Sequence, residues 1–305
     1  MTASLERVIS QAATVILGKE RQIRMALTCL LARGHLLIED LPGVGKTTLA
    51  HVIARSLGLE FQRIQFTSDL LPADILGVSI FDRADSLFKF HPGPIFTQLI
   101  LADEVNRATP KTQSALLEAM EEHQVTIEGE TRPLPTPFFV IATQNPSYQV
   151  GTFPLPESQL DRFLMRIRLG YPDREAERGL LSGVERREII STLSPCMEVA
   201  ELQATQKKAR EVHASPALLD YIQAIIGYTR LSPDYVNGMS PRAGLALLAS
   251  ARAWALMDGR NQVLPEDVQA VLSGVVSHRL HPAGDYSRSS GADVAEKIIR
   301  EVAIP

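Results

Sequence analysis

The stretch His35-Leu36-Leu37-Ile38-Glu39, followed by Asp40-Leu41-Pro42-Gly43-Val44-Gly45-Lys46-Thr47-Thr48, limits the possible folds more than any other segment. Its first five residues read as a buried strand, and the run after Thr48 puts Leu49, Val52, Ile53 and Leu57 on one helical face. Between them, glycines let the backbone wrap a phosphate chain with its N–H groups turned inward. The helix N-terminus adds a favourable dipole, Lys46 supplies a point charge, and the Thr47 hydroxyl can ligate Mg2+. The alternative, an ordinary Gly-rich turn, is disfavoured by the strand and helix that frame the loop. One position departs from the eight-residue phosphate-loop pattern, because Asp40 stands where its first glycine belongs. A carboxylate facing phosphates repels them, so Asp40 must turn its side chain away or nucleotide affinity suffers.

About one sheet-crossing unit downstream, Phe96 to Glu104 is a strand-like run that ends in two carboxylates. Beside a phosphate loop this pair suits hydrolysis, with Asp103 holding Mg2+ through water and Glu104 polarising the water that attacks the γ-phosphate. Pro110 to Glu122 reads as a helix with Ala115, Leu116, Ala119 and Met120 inward. Gln124 to Arg132 alternates and turns at Gly129, the pattern of a β-hairpin with an acidic tip. Phe138 to Thr143 is apolar throughout, as a central parallel strand should be, and delivers Gln144-Asn145-Pro146 to the sheet edge that carries Asp103. Asn145 could orient the attacking water there, or Asn145-Pro146 could simply start a turn.

At 305 residues the chain is about twice a typical domain length. Its first half alternates short apolar runs with helical patterns, the signature of a three-layer αβα domain around a largely parallel sheet. From about Asp173 strand-like runs give way to helical periodicity, as in Leu218, Leu219, Ile222, Ile225 and Ile226. Gly170-Tyr171-Pro172 is the natural hinge, which divides the chain into an α/β domain over 1–171 and a smaller all-helical domain over 172–305. A net charge of −4 argues against a large basic surface for nucleic acid or anionic lipid. No apolar run approaches membrane-spanning length and no signal peptide is visible, so no membrane insertion is expected. Cys29 and Cys196 are too few for a disulfide framework, and a reducing, cytoplasmic setting is expected. His278 and His281 have no third ligand in view and read as surface histidines.

Six segments, in order, carry a resemblance. They are Leu41-Pro42-Gly43-Val44-Gly45-Lys46-Thr47, Asp103-Glu104-Val105-Asn106-Arg107-Ala108, Leu116-Leu117-Glu118-Ala119-Met120-Glu121-Glu122, Ala142-Thr143-Gln144-Asn145-Pro146, Leu160-Asp161-Arg162-Phe163 and Ser240-Pro241-Arg242-Ala243. Together they resemble the MoxR group of AAA+ ATPases over nearly the whole chain. The resemblance implies a P-loop ATPase core with a helical lid, using ATP and Mg2+. Pro42, Gly43, Val44, Gly45, Lys46, Thr47 and Thr48 would form the Walker A loop, with Thr47 also on the metal. Asp103 and Glu104 would form Walker B, Asn145 sensor 1, Arg242 sensor 2, and Arg162 the arginine finger that faces the next subunit's nucleotide. Gly18, in Val15-Ile16-Leu17-Gly18-Lys19, falls in a segment similar to the one that lies against adenine. The resemblance also implies an insertion at about 74–93 and a hairpin at about 124–134 before the sensor 1 strand. A hexameric homo-oligomeric ring, an accessory protein with a von Willebrand factor A domain and a client protein complete the implied picture. The implied work is chaperone-like maturation or metal and cofactor insertion. The change at Asp40 is similar to that in family members with Glu-Asp before the loop.

Elementary electrostatics bears on two of these residues. Arg242 follows Ser240-Pro241, a cap and first-turn pair, so a cation sits at the positive end of a helix dipole at a cost of about 0.3–1 kcal/mol. A nearby phosphate oxygen would remove that penalty, as would a head that swings into solvent. Arg162 has Asp161 beside it as a potential local ion-pair partner. A magnesium-chelatase-type motor subunit shares this layout. A nucleic-acid translocase would want Lys or Arg at the hairpin tip, where Glu128 and Glu130 stand, and a binding module without turnover would be expected to lack Glu104.

Overall fold

Three runs are apolar at successive positions, which suits strands covered on both faces, and they form the middle of a sheet. The computed structural model describes residues 2–145, 151–183, 186–283 and 290–304; Pro146 lies outside them. Helices α1 (Thr2–Val15) and α2 (Glu20–Leu31) lead into β1 (Leu36–Glu39), α3 (Lys46–Ser56), β2 (Phe61–Gln65) and the short α4 (Pro72–Leu76). A hairpin of β3 (Gly77–Asp82) and β4 (Leu87–Pro92) precedes β5 (Leu99–Asp103) and α5 (Pro110–Glu122). A second hairpin, β6 (Gln124–Ile127) and β7 (Glu130–Pro133), precedes β8 (Phe139–Gln144), α6 (Glu157–Leu160) and β9 (Met165–Ile167). The rest of the described chain is helical, with α7 (Arg174–Ser182), α8 (Arg186–Thr192), α9 (Val199–Glu211), α10 (Pro216–Leu231), α11 (Pro241–Met257), α12 (Pro265–Val276) and α13 (Gly291–Glu301).

The five-stranded sheet has the order β2-β5-β8-β1-β9 and every pairing in it is parallel. Strand alternation sorts its side chains. Leu36, Ile38, Leu99, Leu101, Phe139 and Ile141 share one core with α1, α2 and α3, whereas Leu37, Ile100, Ala102, Val140 and Ala142 share another with α5. This is the three-layer α/β fold with a helical C-terminal region. The first core continues into the helical region through Leu202, Tyr221, Ile225, Leu247, Val271 and Ile298. Helix α11 packs on α2 and α9, so the helical region covers the α2 side of the sheet.

The C-terminal end of α12 seals this junction against β9. Arg279, with a side chain only 5% exposed, donates from Nε to Asp161 Oδ1 at 2.6 Å and from Nη2 to the Phe163 carbonyl at 2.6 Å. His278 corrects the expectation of a surface histidine. It is buried in the same seam, with Nε2 3.0 Å from the Phe163 carbonyl, and burial with the nearby Arg279 and Arg166 guanidiniums pushes its pKa well below the ordinary range. The sequence pattern missed it because His278 lies two residues beyond the end of α12, outside any helical periodicity. In the second hairpin Glu128 and Gly129 both take positive φ, 52° and 85°, the twist a tight two-residue turn requires. Its Arg132 lies over the Phe90 ring of β4 at 4.1 Å, which joins the two hairpins.

Candidate functional site

Parallel strands bring their C-terminal ends to one edge, and there β1, β5 and β8 deliver Asp40, Asp103-Glu104 and Asn145 around the loop that opens α3. Gly43 and Gly45 have φ of 84° and 95°, backbone that side-chain-bearing residues avoid, and Gly45 forms the N-cap of α3. No atom lies within 4 Å of where a Cβ would stand on either glycine, so the loop is an open cradle. No side chain caps α3 either, which leaves its first N–H groups for an anion. Lys46 is buried, 7% exposed, and donates from Nζ to the Asp40 carbonyl at 2.6 Å and to Asn145 Oδ1 at 3.0 Å. Burial lowers its pKa from the ordinary lysine value, against the opposing pull of Asp40, Asp103, Glu104 and Glu39. A buried cation, an uncapped helix and an open glycine cradle together fit a polyphosphate. Pro42, Val44 and Thr48 complete the loop and its first helical turn.

Asp40 turns away from that cradle. Its Oδ1 accepts from Leu41 N at 2.8 Å, and its Oδ2 accepts from Leu169 N at 2.7 Å and Gly170 N at 2.6 Å, where the chain leaves β9. The carboxylate therefore ties the loop to the end of the edge strand and faces backbone donors.

Thr47 Oγ1 stands 3.5 Å from Asp103 Oδ2, a hydroxyl and a carboxylate of the type that suits Mg2+. Asp103 is oriented by Thr143 Oγ1, which donates to Oδ1 at 2.5 Å, and by the Arg63 guanidinium, which donates to Oδ2 from Nε at 3.1 Å and Nη2 at 2.6 Å. Glu104 occupies left-handed backbone, φ 56°, an uncommon conformation outside glycine. Its N–H donates to Thr143 Oγ1 at 2.9 Å. Its Oε1 accepts from Asn145 Nδ2 at 2.9 Å, and its Oε2 from Gln65 Nε2 at 2.9 Å and Arg107 Nε at 3.2 Å. Asn145 thus bridges the lysine and the glutamate, one amide atom on each. Gly18 sits apart, at φ 67°, where a Cβ would meet the Asp173 carboxylate at 3.1 Å and Ala176 at 3.3 Å; Lys19 beside it donates to the Tyr171 carbonyl at 2.7 Å.

Arg162 and Arg242 are not part of this cluster. Arg162 precedes β9, at the N-terminal edge of the sheet, where Leu164 N donates to the His35 carbonyl at 2.9 Å. Its Nη1 donates to the Leu117 carbonyl at 2.8 Å and lies 3.1 Å from Glu121 Oε2. Arg242 pairs with the other oxygen of the same carboxylate, Glu121 Oε1. Asp161, a potential local partner of Arg162, is instead engaged by Arg279 and by Ser240 Oγ at 3.1 Å. The dipole penalty expected at Arg242 is relieved by Glu121, at the C-terminal end of α5. The four residues of β1, about 13 Å of strand, separate the two arginines from the cradle.

The family profile described as "ATPase family associated with various cellular activities (AAA)" matches residues 35–165, and that of the AAA lid domain matches 228–301. The uncharacterized protein YeaC of Bacillus subtilis is 43% identical over 303 residues, 99% of this chain and 95% of that protein. Chaperone MoxR1 of Mycobacterium tuberculosis is 40% identical over 319 residues, 99% of this chain and 82% of that protein. The crystal structure of a putative ATPase from Cytophaga hutchinsonii superposes with a TM-score of 0.91 at 36% identity, over 100% of this chain and 96% of that one. The chain belongs to the MoxR family of AAA+ ATPases.

Three polar residues of this MoxR-family chain escaped the sequence reading. Arg63 and Gln65 lie two apart on β2, so they share a face, and that face meets Asp103 and Glu104 because β2 pairs with β5 in the register Gln65↔Asp103. Nothing in the linear sequence names β5 as that partner. Glu121 lies inside the segment Leu116 to Glu122, but its role depends on α5 ending beside Arg162 and Arg242. Among the described residues no helix is long and apolar enough to cross a membrane.

Proposed function

We propose that this chain is a Mg2+-dependent ATPase working as a ring of identical subunits, with ATP hydrolysed at each junction and the work used to remodel a client protein. One observation carries the reading: the groups suited to binding and activating stand at one sheet edge, and the two arginines suited to transition-state charge stand at the other. A single copy cannot bring both to one phosphate, whereas a head-to-tail neighbour can. In that arrangement Lys46 and the first N–H groups of α3 hold the phosphates. Thr47 and Asp103 would hold Mg2+, which when bound neutralises charge on the β- and γ-phosphate oxygens. Glu104 accepts a hydrogen bond from the attacking water, and Asn145 keeps that carboxylate and Lys46 in register. Arg162 and Arg242 of the neighbouring copy take up the charge that develops on the transferred phosphoryl group. Gly18 and its neighbours would border the base.

The division into a core over 1–171 and a lid over 172–305, the hexameric stoichiometry, and the accessory protein with a von Willebrand factor A domain belong to the same proposal. A chaperone-like role on a client is supported by the chaperone name of the mycobacterial relative, and metal or cofactor insertion is part of the same proposal. Glu128 and Glu130 at the hairpin tip weigh against nucleic acid as client.

Complementation tests the shared site. Glu104→Gln and Arg162→Ala subunits, each inactive alone, should regain turnover when mixed, since about one junction in four then pairs an intact acid with an intact finger. No recovery in mixtures that assemble would refute it.

A further inference from the structure

Resting on that shared-site reading, we infer that Glu121 is the positioning residue that aligns both junction arginines, holding them in the place of the neighbour's phosphate. The carboxylate divides its two oxygens between guanidiniums from distant parts of the chain. Oε2 lies 3.1 Å from Arg162 Nη1, and Oε1 pairs with Arg242 Nη2 at the start of α11. An isolated surface ion pair would have one partner and freedom to drift. Glu121 has two partners and a fixed base.

That base is built by His35. Its Nε2 lies 3.1 Å from the Met120 carbonyl, and its Nδ1 accepts from Val140 N at 3.0 Å, so Nε2 carries the proton and is the donor. Burial holds the pKa of His35 at about 4, which keeps the ring neutral and this pairing intact. The last turn of α5 is thereby pinned to β1 and β8, and Arg162 adds its bond to the Leu117 carbonyl.

The surrounding charge favours exchange with a phosphate. A cavity of about 300 Å³ here is lined by Arg33, Arg162, Arg242 and Arg279, with Glu121 and Asp161 as its carboxylates. Arg279 and Asp161 satisfy each other, which leaves three guanidiniums and one carboxylate. A multiply charged phosphoryl group from a neighbour balances that excess better than Glu121 does. The side chains of Arg162 and Arg242 are 30% and 47% exposed, so their heads can reach an incoming subunit. Because Arg162 belongs to the sheet and Arg242 to the helical region, one carboxylate sets the spacing between them.

The test compares Glu121→Ala and Glu121→Gln by steady-state ATPase kinetics and by subunit mixing. For Glu121→Ala, kcat should fall on the order of 10- to 100-fold, the scale of a misplaced catalytic group, with KM for ATP within about twofold of the parent. Glu121→Gln, which keeps one acceptor oxygen, should fall between Ala and the parent. Glu121→Ala subunits mixed with Glu104→Gln subunits should recover turnover, because the first donate an intact acid and the second intact arginines. Mixed with Arg162→Ala they should not, because both lesions lie on the same face. Recovery also requires folded Glu121→Ala subunits, so it separates positioning from collapse. An unchanged kcat, or a loss expressed in KM alone, overturns the inference. So does failure of the Glu121→Ala and Glu104→Gln mixture where Arg162→Ala and Glu104→Gln complement. Failure of that last pair removes the shared site itself, and this inference with it.

Discussion

Replacing Asp40 with alanine separates two opposite roles for a carboxylate next to a phosphate loop. In the structure its oxygens accept three backbone N–H groups, of which Leu41 N is a sequence neighbour while Leu169 N and Gly170 N belong to the end of β9. Hydrogen bonds to a charged acceptor contribute about 1.5–3 kcal/mol each. Asp40 is half-buried, so water replaces part of what alanine removes, and the two long-range bonds should amount to about 2–3 kcal/mol of unfolding free energy. Asn, which keeps one acceptor oxygen, should lose about half of that. Nucleotide binding distinguishes the roles. A carboxylate aimed into the cradle about 5 Å from a phosphate would oppose it by roughly 1–3 kcal/mol, so its removal would tighten ATP about ten- to a hundredfold. A carboxylate turned toward β9 acts only at long range and its removal should tighten ATP less than about threefold. Denaturant unfolding, with titration of a fluorescent ATP analogue, reads both quantities on the same variants. Unchanged stability together with a tenfold gain in affinity for Asp40→Ala would refute the reasoning.

Gln65→Ala removes one of the bonds that orient Glu104; turnover should fall about tenfold with ATP affinity unchanged, and a comparable loss of affinity would place Gln65 in the binding cradle instead. Stability should also depend on pH through His35 and His278, whose folded pKa values are both lowered, that of His35 to about 4. Between that value and the unfolded value near 6.5 the unfolded chain binds more protons, so this stability is fully present above about pH 6.5 and declines as pH falls. Unfolding at pH 5 and pH 7 should differ by up to about 1.4 kcal/mol per pH unit for each histidine, and His35→Gln should flatten the slope; a slope unchanged by that substitution would place its titration elsewhere.

How far the sequence was readable followed from the range of each interaction. The loop at Gly43 to Thr48 and the strands ending at Asp103 and Asn145 were legible because each is written in consecutive residues: an apolar run, then the polar group it delivers. Arg63 and Gln65 were not, because their meaning comes from β2 lying beside β5, a pairing of residues 38 positions apart, as in Gln65↔Asp103. The partner of Asp161 was hidden for a similar reason. Adjacency in the chain suggested Arg162 as its partner, but Arg279 arrives from just beyond α12 with a buried guanidinium that needs a carboxylate more than a half-exposed one does. His278 belongs to the same seam, and a lone histidine after a helix carries no mark of what will cover it.

The strand order decides the geometry of the candidate site more firmly than any motif does. β9 runs parallel to β1 with Leu36 opposite Met165, so a residue three positions before Met165 must lie near the start of β1, and the phosphate loop lies beyond its end. The about 13 Å of strand between them exceeds the reach of an arginine side chain, whatever rotamer Arg162 adopts. Arg242 is confined to the same edge by a separate cause: Ser240 bonds Asp161, which Arg279 holds in place, and Arg242 pairs with Glu121, so the start of α11 cannot swing to the loop without breaking both contacts. Two independent constraints, one in the sheet and one in the helical seam, thus hold both cations away from the nearest Lys46 and Glu104. On the shared-site proposal, a second copy offering its own cradle to this face brings the two halves together.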